Sequence, residues 1–148
     1  MKMPRSPVLS LGSQIFQMKS DFPDFHYDRC MDDRGKRIPT WNGYLQPHNN
    51  SPQYLIKIAY PFDGSYSKSP SVWVIRPAIS ENAPHRYPDK SLCLYFPKDH
   101  SWTPYFFISK TIIPWSALWL AFYEIWLDTD VWYGPEAPHK NGEKKIKK

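Results

Sequence analysis

The stretch 54-YLIKIAYPFDGSYSKSPSVWVIR-76 decides the fold. Tyr54, Ile56, Ile58 and Tyr60 alternate with Leu55, Lys57 and Ala59, the period-two pattern of a half-buried strand. Ser71–Arg76 is β-branched and aromatic nearly throughout, which suits a second strand. Between them lies the loop Pro61–Pro70, with Gly64 and a proline at each end to stop both runs. A connection this short joins antiparallel neighbours, because a parallel crossover needs more chain and a helix.

Working outward, Thr40–Leu45 is another strand-like run, separated from Tyr54 by the turn chemistry of Pro47–Pro52. A further short apolar run, Leu92–Phe96, contains Cys93 and follows the long polar passage SENAPHRYPDKS. Asp21–Pro39 reads as irregular, with the charged turn Asp32-Asp33-Arg34-Gly35-Lys36-Arg37 in its middle. Val8, Leu11, Ile15 and Met18 recur at helical spacing and predict a first helix over Pro7–Lys19, which Pro23 cannot continue. Trp115–Leu127 predicts a last helix, apolar nearly all round, with Trp115, Leu118, Trp119, Phe122, Ile125 and Trp126 on one broad face. The expected fold is α+β: a four-stranded antiparallel meander with an N-terminal and a C-terminal helix packed on it.

A chain of 148 residues is the size of one domain, here placed at 1–139, with a basic tail at 140–148. Sixteen prolines argue for short elements and fixed loops rather than a helical bundle. The net charge of +5 suggests a nucleic-acid partner until it is located. Five lysines and one glutamate in Lys140–Lys148 supply +4 of it, which leaves +1 on the body. Such a tail is a solvated end rather than a nucleic-acid groove, so no specific nucleic acid is expected. Ile112–Leu127 is interrupted by Pro114 and Glu124 and is shorter than the ~20 residues of a spanning helix, so no membrane is expected either.

Cys30 and Cys93 are the only cysteines, too few for a disulfide framework. The N-terminus has too short an apolar run for a secretory signal. Both point to free thiols in the cytoplasm. The histidines and cysteines show no paired ligand spacing of the zinc type, and no glycine-rich phosphate loop is present, so no metal and no cofactor is expected. Without such a loop the chain cannot activate a carboxylate with ATP by itself.

The order of short motifs from Tyr54 to Leu127 carries a resemblance. Tyr60-Pro61 ends a strand, Tyr66 to Pro70 forms a Tyr- and Pro-containing loop, and Pro70-Ser71-Val72-Trp73 opens the next strand. His85 precedes Ser91-Leu92-Cys93-Leu94, and Trp102-Thr103-Pro104 follows before a helix. This order resembles the ubiquitin-conjugating enzyme superfamily. The His-Pro-Asn tripeptide of that superfamily appears as His85-Arg86-Tyr87, without its asparagine. Gly43, the HRYPD passage and the closing WYGPEAPH are similar to the bacterial branch, in particular to the stand-alone conjugating-enzyme-like proteins of CBASS antiphage operons.

The resemblance implies that Cys93 is a nucleophile carrying a polypeptide C-terminus as a thioester and passing it to an amine. The carried chain would be a cGAS-like nucleotidyltransferase or a ubiquitin-like protein, and the acceptor a lysine-bearing protein. A thiol suits this work because thiolate is strongly nucleophilic and a thioester stays reactive toward amines. Judged alone, a cysteine between two leucines is a core residue; the motif order makes it a carrier. Cys93 is expected to begin a strand, with Leu92, Leu94 and Phe96 on the buried face.

Transfer also needs a donor for the thioester oxyanion and a group to take the proton of the amine. His85 is the first candidate for the polar role, against a reading in which it only orders the loop. Tyr87 and Asn82 are substitutes for the missing amide, against ordinary loop residues. Asp89 and Asp99, with His100 nearby, are candidates to orient or deprotonate an amine; Cys30 is an inert thiol and His139 is left unassigned. Two other readings stay open: a non-catalytic adaptor on the same fold, motivated by the missing asparagine, and a thiol hydrolase of such conjugates. An RNA-binding module using the aromatics and the tail is a third and weaker alternative.

Overall fold

A computed structural model describes residues 8–63, 69–94 and 102–134. The order is helix α1 (Leu11–Asp21), strands β1 (His26–Met31), β2 (Arg37–Leu45), β3 (Tyr54–Ala59) and β4 (Ser71–Arg76), then helix α2 (Ile112–Thr129). The strands pair in sequence order, each antiparallel to the next. The α+β meander with a helix at each end is therefore as expected.

Its membership differs from expectation at both ends. Asp21–Pro39 is not irregular: it holds the end of α1, all of β1 and the start of β2. The charged turn is the hairpin bend between them. Asp32 Oδ1 accepts from the amides of Arg34 (2.9 Å) and Lys36 (2.8 Å), and Gly35 takes φ 81°, a conformation glycine adopts without a Cβ clash. Most of β1 is solvent-exposed, so it lacks the apolar alternation that marks a strand. The hairpin register and the Tyr27–Trp41 ring contact at 5.2 Å hold it. Conversely, Leu92 makes a single bridge to Arg86, and neither Cys93 nor Leu94 lies in a strand.

Helix α1 starts later than predicted because Ser10 caps it, its hydroxyl accepting from the Ser13 amide at 3.0 Å, a standard way to satisfy an orphan N–H. Gln14 is buried at 1% exposure with both ends of its amide paired: Nε2 donates to Phe106 O (2.9 Å), and Oε1 accepts from the Ile108 amide (2.9 Å). It joins α1 to the short 3-10 turn Ile108–Lys110 that leads into α2.

Ile56, Ile58, Tyr60 and Val72 from the sheet region form one core with Met18, Ile112, Ile113, Trp119, Leu120 and Tyr123. The buried face of α2 is thus Ile112, Ile113, Ser116, Trp119, Leu120 and Tyr123. Leu118 and Ile125, expected on that face, are 50% and 40% exposed. A helix apolar all round does not name its own inner face; the partners it packs on do. Among the described residues, no helix is long and apolar enough to cross a membrane.

Candidate functional site

The polar passage after β4 is folded back on itself and pinned from three sides. Helix α2 supplies the first two pins: Tyr123 Oη accepts from the Ser80 amide at 2.9 Å, and Trp119 Nε1 donates to His85 O at 3.1 Å. The sheet supplies the third, where the Leu92 amide donates to Val72 O on β4 at 2.8 Å. Within the loop, Tyr87 N donates to Ser91 O (2.9 Å) and Lys90 N to Tyr87 O (2.7 Å). This turn carries the chain from Arg86 back to Leu92.

Cys93 follows directly. Its amide donates to His85 O at 2.9 Å, so the backbone on both sides of the Leu92–Cys93 peptide is held. The thiol belongs to a half-buried, unbridged cysteine. Leu92 is buried at 2% exposure and acts as the anchor. A fixed backbone with a side chain at the boundary of solvent suits a nucleophile that must be met by a large partner.

His85 is the centre of this arrangement through its main chain. Its carbonyl takes two donors, from Cys93 and Trp119. Its φ of 60° is in the left-handed region, costly for a residue with a Cβ, and the two hydrogen bonds help to hold it there. Its ring lies 4.8 Å from that of Trp132, which also meets Trp119 at 5.4 Å and Phe122 at 5.9 Å. The segment after α2 thus covers the His85 loop. Gly134 permits that approach, since a Cβ there would sit 2.5 Å from the Phe122 ring.

The remaining candidates are spread along the loop. Asp89 Oδ1 accepts from the Ser91 amide (2.9 Å) and hydroxyl (2.6 Å), and its carbonyl accepts from Trp73 Nε1 (3.0 Å). The last of these ties the turn to β4. Tyr87 is exposed at its tip, and Asn82 is exposed with its amide donating to Ser80 Oγ at 3.2 Å. Cys30 lies on β1, across the sheet's width from β4. Asp99, His100, His139, Tyr66, Phe96 and the lysine tail lie outside the described residues.

Trp119 and Trp132 are the residues that sequence reasoning undervalued. Apolar periodicity places Trp119 on the broad face of the last helix and gives no sign that its indole donates to the loop carbonyl behind the cysteine. The described residues contain no group of three or more metal-ligating side chains.

A family model described as Type II CBASS E2 protein matches residues 14–140. The search of curated proteins found no match.

Proposed function

The chain belongs to the type II CBASS E2 protein family, and on that premise we propose that Cys93 carries a polypeptide C-terminus as a thioester and hands it to an amine. The donor is an already activated acyl group, an acyl-adenylate or a thioester made by a separate enzyme. Cys93 Sγ forms a bond to the acyl carbon, the bond to the leaving group breaks, and the thiol proton passes to solvent. In the second step the amine nitrogen bonds to the same carbon, the S–C bond breaks, and the proton lost by the amine balances the thiolate released. The carried chain is proposed to be that of a cGAS-like nucleotidyltransferase, and the acceptor a lysine of another protein.

One observation carries this reading: the Cys93 amide is fixed on the His85 carbonyl, which α2 holds from behind through Trp119. The Cα and Cβ of Cys93 are therefore held in place relative to the loop, which leaves the thiol only its χ1 rotamers to sample. His85, Tyr87, Asn82 and Asp89 lie on the loop that leads to Cys93, and His85 is proposed as the group that orders it.

The test is to mix the protein with the products of its neighbouring genes and run the mixture with and without thiol reductant. A carrier gives an adduct that reductant destroys. Cys93→Ser should convert it to a reductant-stable oxyester or abolish it, and Cys30→Ser should leave it intact. Absence of any thiol-sensitive adduct, together with defence retained by Cys93→Ser, would leave the adaptor reading instead.

A further inference from the structure

Strand β4 is the last of the sheet, and among the described residues its outer edge is only partly covered. The Leu92 amide donates to Val72 O, so the polar backbone groups of Val72 face away from β3. Antiparallel strands alternate with a period of two, so Val74 turns its N–H and C=O the same way. Among the described residues no hydrogen bond meets Val74 on that side. An edge left in this state is a template for another strand.

A groove of about 490 Å³ runs beside that edge. Val74, Ile75, Ala78, Ile79 and Leu92 give it an apolar floor, and Lys57, Trp73, Glu81, Arg86, Asp89 and Lys90 complete its walls. Cys93 and His85 are not part of its lining. Its charges are unevenly satisfied. Lys90 is paired with Glu81 at 3.2 Å, and Asp89 is engaged by Ser91. Arg86 is fixed by Nη2 donating to Ser80 O (2.9 Å) and Glu81 O (3.4 Å), but no described carboxylate neutralises it. Lys57 lies over the Trp73 ring at 5.5 Å and also has no described carboxylate partner.

We propose that this groove takes an extended acidic segment of a partner protein, added as a strand to the free edge of β4 at Val74. Arg86 and Lys57 face its carboxylates, and Ile75 and Ile79 meet its apolar side chains. The chain's own ends do not fit: residues 1–7 carry Lys2 and Arg5 with no acid, and 140–148 carry +4. The preorganised guanidinium favours a carboxylate in particular, because its position is fixed before binding.

The test is a titration followed by heteronuclear NMR, using the peptide acetyl-Glu-Val-Glu-Ile-Glu-Val-amide and its counterpart with lysine for glutamate. The acidic peptide should shift the Trp73 indole and the Val74, Ile75 and Ile79 amides, while the basic one should not. Arg86→Gln removes the charge and leaves a shorter, neutral amide; it should weaken binding roughly tenfold. Val74→Pro deletes the edge N–H and should abolish binding, with β1–β2 amides reporting that the sheet persists. Cys93→Ala should bind as the wild type does, so the groove and the thiol chemistry can fail separately. Equal binding of the basic peptide, unchanged affinity in Arg86→Gln, or shifts confined to other surfaces would overturn the proposal.

Discussion

The amide of Cys93 hydrogen-bonds to the carbonyl of His85 at 2.9 Å, so the loop carrying the histidine sets where the backbone of the cysteine sits. The bond uses the main chain of His85, which any residue provides, while its φ of 60° penalises most residues. His85→Gly relieves the left-handed backbone cost, about 1 kcal/mol, while losing the ring contact with Trp132, and should fold about as stably as the wild type. His85→Ala keeps the backbone cost, loses the ring and should be less stable by about 1 kcal/mol. Urea unfolding measures both. We expect the glycine variant to retain a reductant-sensitive adduct on Cys93; loss of that adduct at unchanged stability would assign the chemistry to the imidazole.

Glu124 on α2 is a staple for the β2–β3 turn. Its carboxylate accepts from Ser51 Oγ (2.8 Å) and Tyr54 Oη (2.6 Å) and meets His48 Nε2 at 2.9 Å. Burial, with the carboxylate beside it, pushes the Tyr54 phenol above its ordinary range. Glu124→Leu strands these donors and should cost about 3 kcal/mol, since each buried unsatisfied group costs about 1–3. His48→Ala removes a half-exposed partner and should cost less than about 1 kcal/mol. Chemical denaturation of the two variants should reproduce that order.

Asp21 closes α1 against the turn before α2. Hydrogen bonds from Ser109 (2.6 Å) and Gln17 (3.1 Å), with Lys110 at 3.2 Å, hold its carboxyl below the usual 3.8. A depressed native pKa contributes stability above the unfolded value and loses it as pH falls through the native one. Thermal melts should therefore show Asp21→Asn less stable than wild type at neutral pH. The gap should hold down to about pH 4 and close below it; a gap unchanged at about pH 2 would contradict the linkage.

Tyr60 presents the opposite case. It is fully buried, and its hydroxyl has no hydrogen-bond partner among the described residues. Burial first, and Asp63 second, push its phenol up to about 12. Tyr60→Phe removes a desolvated donor while keeping the ring against Phe62 and Trp102. It should be neutral or stabilising by about 1 kcal/mol, as read from the urea midpoint. A loss of 2 kcal/mol or more would mean the hydroxyl has a bound partner in solution.

The strands with one buried face were legible because burial imposes their alternation: Tyr54–Ala59 reads buried, half-buried, buried along its length. Strand β1 was not, because an edge strand wet on most of its surface has no apolar pattern to show. Within the site, Cys93 stood out by the order of motifs around it. The hydrogen bonds of Asp89 with Ser91 and Trp73 did not, since a short polar loop can close in many ways.

Local pattern by itself determined the two helices and the antiparallel run of β2, β3 and β4, because alternation, helical period and turn residues act over a few positions. Cys93 was marked only by the order of motifs that carries the resemblance. Only the tertiary structure decided which face of α2 is buried, that β1 is the fourth strand of the sheet while Cys93 and Leu94 lie outside it, and that Trp119 and Trp132 back the His85 loop. Those depend on residues tens of positions apart meeting across the core. Trp119 and His85 are separated by 34 positions, a contact that neither local sequence could announce.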